Sequence, residues 1–241
     1  MTRLFHVSDL HFGRADEAAL DWFAGLVRAE KPDAVVCTGD LTMRARSAEY
    51  AAASAWLKAL DVPVTIEPGN HDLPMYNLLA RFTRPYGRFE RVEKAIEREM
   101  DLPGVWVVPL KTTRRFQWRN WKHGAVSRSQ LDGALARLKA KPAGHVALIA
   151  CHHPLVARKA SGSDQTAGGI AALPVLAAAG ATAVLSGHTH DPFDLPWETP
   201  GGTIRLVGAG TLSERVRASP PSFNELIVED GALSVRVRTL E

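Results

Sequence analysis

The chain has 241 residues, 46% hydrophobic and 23% charged, and 29 Lys and Arg against 26 Asp and Glu give a formal charge of +3. That length suits one domain around one core, no apolar run approaches the roughly 18 residues that span a bilayer, and the opening MTRLFHVSDLHFG lacks the charged-then-apolar layout of a signal peptide, so a soluble cytoplasmic protein is expected. The small net charge gives mild encouragement to anionic ligands and too little for a dedicated nucleic-acid binder, and Cys37 and Cys151, each inside an apolar run, argue against a structural disulfide.

Short apolar runs ending in Gly, Asp, Asn or His alternate with helical patterns along the chain, which is the signature of a layered α/β domain. Strands are predicted at Arg3 to Ser8 and Ala34 to Thr38, and between them Leu20, Phe23, Leu26 and Val27 recur at helical spacing until Lys31-Pro32. A second helix is expected from Ser47 to Leu60, then strands at Val64 to Glu67 and Val105 to Leu110. Ser127 and Gln130 fit a capping box ahead of Leu131, Leu135 and Leu138, which share a helix face. Further strands are expected at Val146 to Ala150, Ala183 to Ser186 and Ile204 to Val207, with a helix over Ile170 to Ala179 whose start Pro174 leaves open. Asp230-Gly231 between Glu225 to Val228 and Leu233 to Val237 signals a hairpin. Residues 73–100 and 111–124 fit this scheme least, and both are candidate substrate-facing insertions in one domain spanning 1–241.

Ligand-type side chains gather at five predicted strand ends: Asp9 and His11, Asp40, Asn70-His71-Asp72, His152-His153, and His188 and His190. Strand ends are where a parallel sheet presents a site. Carboxylate, imidazole and amide oxygen donors together suit Mn, Fe, Co or Zn rather than Ca or a thiolate-bound structural zinc. Any one of these pieces is an ordinary turn, but five on successive strands would have to be unrelated for a purely structural explanation to hold.

The ordered set D-x-H, GD, GNHD, HHP and GHTH resembles the calcineurin-like metallophosphoesterase family from Leu4 to about Gly210. The resemblance implies a four-layer αββα sandwich with two mixed sheets inside. It also implies that Asp9, His11, Asp40 and His190 hold one metal ion and that Asp40, Asn70, His152 and His188 hold the other, with Asp40 bridging and His153 not a ligand. Two such ions, about 3.5 to 4 Å apart, lower the pKa of a bridging water, so that a hydroxide attacks the phosphorus. His71 follows Asn70 directly and so projects beside the metals, and the resemblance gives it the role of general acid and phosphate contact. Asp72 either orients His71 or braces the turn.

Within that family SDLHFG, GNHD and HHP look closest to bacterial class III cyclic nucleotide phosphodiesterases and glycerophosphodiesterases, which favours a small phosphodiester, cyclic nucleotides included. The alternative is a membrane-surface pyrophosphatase or phospholipid phosphodiesterase, because KTTRRFQWRNWK at 111–122 carries five basic residues, three aromatics and no acid. Phe89, Val92, Ile96 and Met100 share a second apolar face, which packs on the core or meets a membrane. No stable nucleic-acid partner is expected, and a metal-free scaffold would be expected to have lost ligands that are all present here.

Overall fold

The computed structural model describes the whole chain except residues 99, 117–119, 121 and 158–165. Two five-stranded sheets lie at its centre. The first has the order β10-β9-β1-β2-β3, built from β1 (Thr2–Val7), β2 (Ala34–Cys37), β3 (Val64–Ile66), β9 (Ser222–Glu229) and β10 (Ala232–Thr239). β1, β2 and β3 run parallel, while the β9-β10 hairpin adds antiparallel strands at β1. The second has the order β4-β5-β6-β8-β7: β4 (Val105–Pro109), β5 (Val146–Ala150), β6 (Ala183–Ser186) and β8 (Gly202–Gly208) are parallel, and β7 (Phe193–Thr199) pairs antiparallel with β8.

Because successive strand residues point to opposite faces, each sheet feeds two cores. Leu4, Val36, Leu148, Leu185, Val207 and Leu226 fill the layer between the sheets. Phe5, Val35 and Phe223 face outward against α1 (Glu17–Glu30), α2 (Ser47–Ala59) and α4 (Phe89–Ile96). On the far side Val108, Ile149 and Val184 pack under α5 (Arg128–Lys139) and α6 (Gly169–Ala178). The result is the expected αββα sandwich. Ser127 and Gln130 form the expected reciprocal cap at the start of α5. Phe89, Val92 and Ile96 are buried in the outer core with α2, so that face of 73–100 is structural.

β7 and a short helix over Leu78–Thr83 have no counterpart in the sequence reading, whereas α6 forms within a residue of the expected Ile170 to Ala179. β7 carries Pro196 and forms at the sheet edge, where a residue without an N–H is tolerated. α6 begins at Gly169 and carries Pro174 in its interior, where the missing N–H leaves the Ile170 carbonyl without its usual intrahelical donor.

Between the facing edges of β3 and β4 a cleft is lined by Glu67, Glu93, Glu97 and Arg137. Glu67 is 5% exposed, and burial pushes its carboxyl well above the usual range, with Glu93 and Glu97 adding to the rise against the pull of Lys111. The folded chain therefore holds a proton that the unfolded chain gives up at its ordinary value, so stability falls as pH climbs from that value towards the raised one. Glu67→Gln is expected to melt higher than the parent at neutral pH and to lose this advantage below the ordinary carboxylate range. Each kcal/mol is worth roughly 2–4 °C at this size. Melting curves across pH check it, and equal melting temperatures at neutral pH would refute it.

Candidate metal centre

The C-terminal ends of β1, β2, β3, β5 and β6 deliver the polar clusters to one place. Five of the residues they bring, Asp9, His11, Asp40, His188 and His190, have positive φ between 46° and 69°. A left-handed backbone is costly for a residue with a Cβ, and such strain collects where surrounding structure must aim side chains. Gly39, Gly69 and Gly187 let the loops close over one another, since a Cβ on Gly69 would run into Asp40 and one on Gly187 into Ser8 and Asp9.

Two groups of donors result, and they meet at Asp40. In the first, His190 Nε2 is 3.1 Å from Asp9 Oδ1, and His11 Nε2 is 3.2 Å from His190 Nε2, 3.5 Å from Asp9 Oδ1 and 3.7 Å from Asp40 Oδ2. In the second, His152 Nε2 is 3.4 Å from Asp40 Oδ2, 3.2 Å from Asn70 Oδ1 and 3.3 Å from His188 Nδ1. Asp9, His11, Asp40 and His152 are buried. Imidazole nitrogens turned towards one another with carboxylates between them are a poor hydrogen-bonding arrangement and a good ligand set.

The hydrogen bonds behind the cluster fix which nitrogen faces inward. His152 Nδ1 lies 2.8 Å from the Thr38 carbonyl and His190 Nδ1 2.6 Å from the Arg215 carbonyl. A carbonyl only accepts, so each Nδ1 carries the proton and each Nε2 offers a lone pair to the site. Asp9 Oδ1 is buried with only the Nε2 atoms of His190 and His11 facing it, and with the His190 proton on Nδ1 that contact supplies no hydrogen, a need that a cation would satisfy. Burial works against the Asp9 charge, but His190 and His11 outweigh it and hold the carboxyl well below its usual range. Burial likewise opposes ionisation of Asp40, and His152, His71 and His11 overcome it. Burial depresses His152 while Asp40 raises it, the net result being about 9, so a metal there displaces a proton.

His71 borders the first group, its donor atom grouped with those of His11 and Asp40 and its ring centroid 4.9 Å from that of His11. Its Nδ1 is 2.8 Å from the Met43 carbonyl, and its Nε2 points into the cleft, 3.2 Å from Arg215 Nη1. Asp72 does not touch it. The Asp72 carboxylate accepts hydrogen bonds from the backbone N–H groups of Leu41, Thr42 and Gly69 at 2.9 to 3.1 Å, so it braces the two metal loops against each other. The orienting role considered for Asp72 therefore belongs to the Met43 carbonyl. His153, beside the ligand-type His152, uses Nδ1 on Thr112 Oγ1 at 2.9 Å and Nε2 on the Lys122 carbonyl at 3.0 Å.

That last contact brings part of the 111–122 segment to the site. Asn120 and Lys122 line a cleft of about 220 Å³ together with Asp40, Asn70, His71, Thr189, Arg215 and Arg217. Residues 117–119 and 121 lie outside the described residues. Arg215 carries no sequence signal, yet its carbonyl holds His190 and its guanidinium lies 3.1 Å from His11 Nε2. Only the fold of the β8-β9 loop brings it there.

The αββα layers and a donor set of carboxylate, amide oxygen and imidazole shared at one aspartate define a metal-dependent phosphoester hydrolase. The family model for calcineurin-like phosphoesterases matches residues 2–192, and the chain belongs to that family. Its members use two divalent transition metal ions, and the two donor groups fit such a pair. The chain is 26% identical over 216 residues to the 3',5'-cyclic adenosine monophosphate phosphodiesterase CpdA of Escherichia coli K12, covering 81% of this chain and 72% of that one. It is 38% identical over 84 residues to the glycerophosphodiester phosphodiesterase GpdQ of Enterobacter lignolyticus, 29% of each chain. In fold it matches a dimetal phosphatase from Danio rerio with a TM-score of 0.70 at 17% identity, covering 99% of this chain and 96% of that one. A purple acid phosphatase from yellow lupin also gives a TM-score of 0.70, at 15% identity, covering 99% of this chain and 51% of that one.

Proposed function

We propose that this chain is a single-domain, cytoplasmic phosphodiesterase that cleaves a small phosphodiester, with cyclic nucleotides among the first candidates. The observation that carries this reading is His71: one ring nitrogen is fixed by the Met43 carbonyl, and the other faces the cleft beside Asp40. Once protonated at that nitrogen, which in the structure faces the donor Arg215 Nη1 at 3.2 Å, His71 is placed to give a proton to a leaving oxygen. The names of CpdA and GpdQ support a diester, and the buried free thiols Cys37 and Cys151 support a reducing compartment.

Asp9, His11, His190 and Asp40 would hold one metal ion, and Asp40, Asn70, His152 and His188 the other. Mn, Fe, Zn and Co all suit these donors. Bound there, the ions would supply an activated water and positive charge for the phosphate oxygens. The chain's own residues do the rest. The Arg215 guanidinium beside His71 Nε2 is placed to hold a phosphate oxygen. Burial lowers the pKa of His71 against the opposing pull of Asp40, which makes its protonated form a readier acid. The carbonyls of Thr38, Met43 and Arg215 keep three imidazoles in single orientations through the cycle.

A metal-reconstituted panel of bis-p-nitrophenyl phosphate, p-nitrophenyl phosphate, cyclic AMP, 2',3'-cyclic nucleotides and a nucleoside diphosphate lipid tests the reading. Diesters are expected to turn over faster than monoesters. Among the described residues the cleft offers His71 for an alkoxide, and no second acid that would favour a monoester lines it. Equal or faster monoester turnover across several metals would overturn the diester assignment.

A further inference from the structure

Helix α3 (Leu78–Thr83) is inside out. Its one buried residue is an arginine, while Leu78 is 63% and Leu79 77% exposed and Phe82 is also exposed. A surface helix of a protein surrounded by water shows the reverse pattern. The inversion is built in. Arg81 Nη1 donates to the Pro74 carbonyl at 3.0 Å and Arg81 Nε to the Arg115 carbonyl at 2.7 Å, locking α3 to the 113–116 segment with its leucines outward. Leu78 and Phe82 are one turn apart with Leu79 beside them, and Phe116 extends the face, its ring 6.2 Å from that of Phe82.

The charge around this face is mainly positive, with Glu90, which shares a cleft with Ala80, Thr83 and Arg84, set among Arg84, Arg88 and Arg91. Residues 73–89 and 102–131 contain no Asp or Glu, and Arg84, Arg114 and Arg115 are exposed next to the apolar side chains. A second copy of the chain would bring like charges together across the face, whereas an anionic bilayer accepts both halves of it: leucines at the acyl boundary, guanidinium groups at lipid phosphates. We propose that α3 and the 114–116 segment form a peripheral docking surface for an anionic lipid bilayer. Of the two apolar features of the sequence, the Phe89, Val92 and Ile96 face is buried in the core, which leaves α3 beside the 111–122 segment as the exposed apolar surface. In sequence both segments adjoin the site: Asp72 precedes α3, and Asn120 and Lys122, which follow 114–116, line the cleft.

The test is sedimentation of the full chain with vesicles of phosphatidylcholine alone or mixed with phosphatidylglycerol, at low and high salt. It needs no turnover, so it stands apart from the phosphodiesterase reading. Binding is expected to the anionic vesicles and to weaken with salt. Leu78→Ser/Leu79→Ser is expected to bind at least roughly tenfold more weakly, and Arg84→Gln/Arg114→Gln to lose roughly fivefold per charge removed. Both variants alter exposed side chains, so their melting temperatures and their hydrolysis of soluble bis-p-nitrophenyl phosphate are expected to match the parent's. Absence of binding to anionic vesicles overturns the proposal, as does undiminished binding by the leucine variant. A dimer that the leucine variant converts to monomer assigns the face to a second copy instead. Binding to poly-glutamate with none to vesicles assigns it to an acidic protein.

Discussion

Asp40→Ala is expected to purify without either metal ion and to lose activity by on the order of 10³ or more, because both donor groups converge on that one carboxylate. His11 and His152 approach the same oxygen, Asp40 Oδ2, from opposite groups, at 3.7 and 3.4 Å. The other oxygen accepts the His71 N–H at 2.7 Å. Removing the side chain thus deletes the shared ligand and loosens the loop that carries Asn70 and His71. Asp40→Asn separates these effects. It keeps the volume and an oxygen for the His71 N–H, yet removes the charge that holds two cations together. Elemental analysis of the purified variants is the direct measurement. Melting curves with and without chelator give a second one, since a metal bound only by the folded state raises the parent's melting temperature and leaves a variant that cannot bind it unmoved. Retention of both metals by Asp40→Ala would end the two-metal assignment.

The strand ends were legible from sequence because their signal is local. An apolar run buried on both faces, followed within a few residues by Asp, Asn or His, needs no knowledge of the rest of the chain, and the fold brings the five clusters to one place. Arg215 was invisible for the opposite reason. It meets His71 across 144 residues of sequence, and nothing in GTLSERVR distinguishes it from a solvated loop arginine. The Met43 carbonyl is harder still, because any residue supplies a carbonyl and only the path of the chain aims it. Asp72 shows where composition misleads, since an acid beside a candidate acid-base histidine suggests a dyad, whereas its hydrogen bonds go to three backbone amides of the facing loops. α3 was hidden by its brevity and by its inverted pattern, in which apolar spacing marks an outward face.

His71→Ala is expected to keep both metals and slow turnover by on the order of 10² to 10⁴, the usual scale for losing one acid-base group. Its Nε2 lies 3.2 Å from Arg215 and its Nδ1 is spent on the Met43 carbonyl, and although its donor atom lies near those of His11 and Asp40, the proposed ligand sets are complete without it. The defect should depend on the leaving group. An alkoxide departing from phosphorus without a proton is poor, so alkyl diesters and cyclic nucleotides should show the full loss. A p-nitrophenolate leaves readily unprotonated, and with bis-p-nitrophenyl phosphate the loss should shrink markedly. His71→Asn sharpens the comparison by restoring a hydrogen-bond donor for the phosphate but no titrating proton. It should recover binding, seen in KM, while leaving kcat for alkyl leaving groups depressed. A uniform slowdown across leaving groups would reduce His71 to phosphate positioning, and loss of a metal from the alanine variant would make it a ligand.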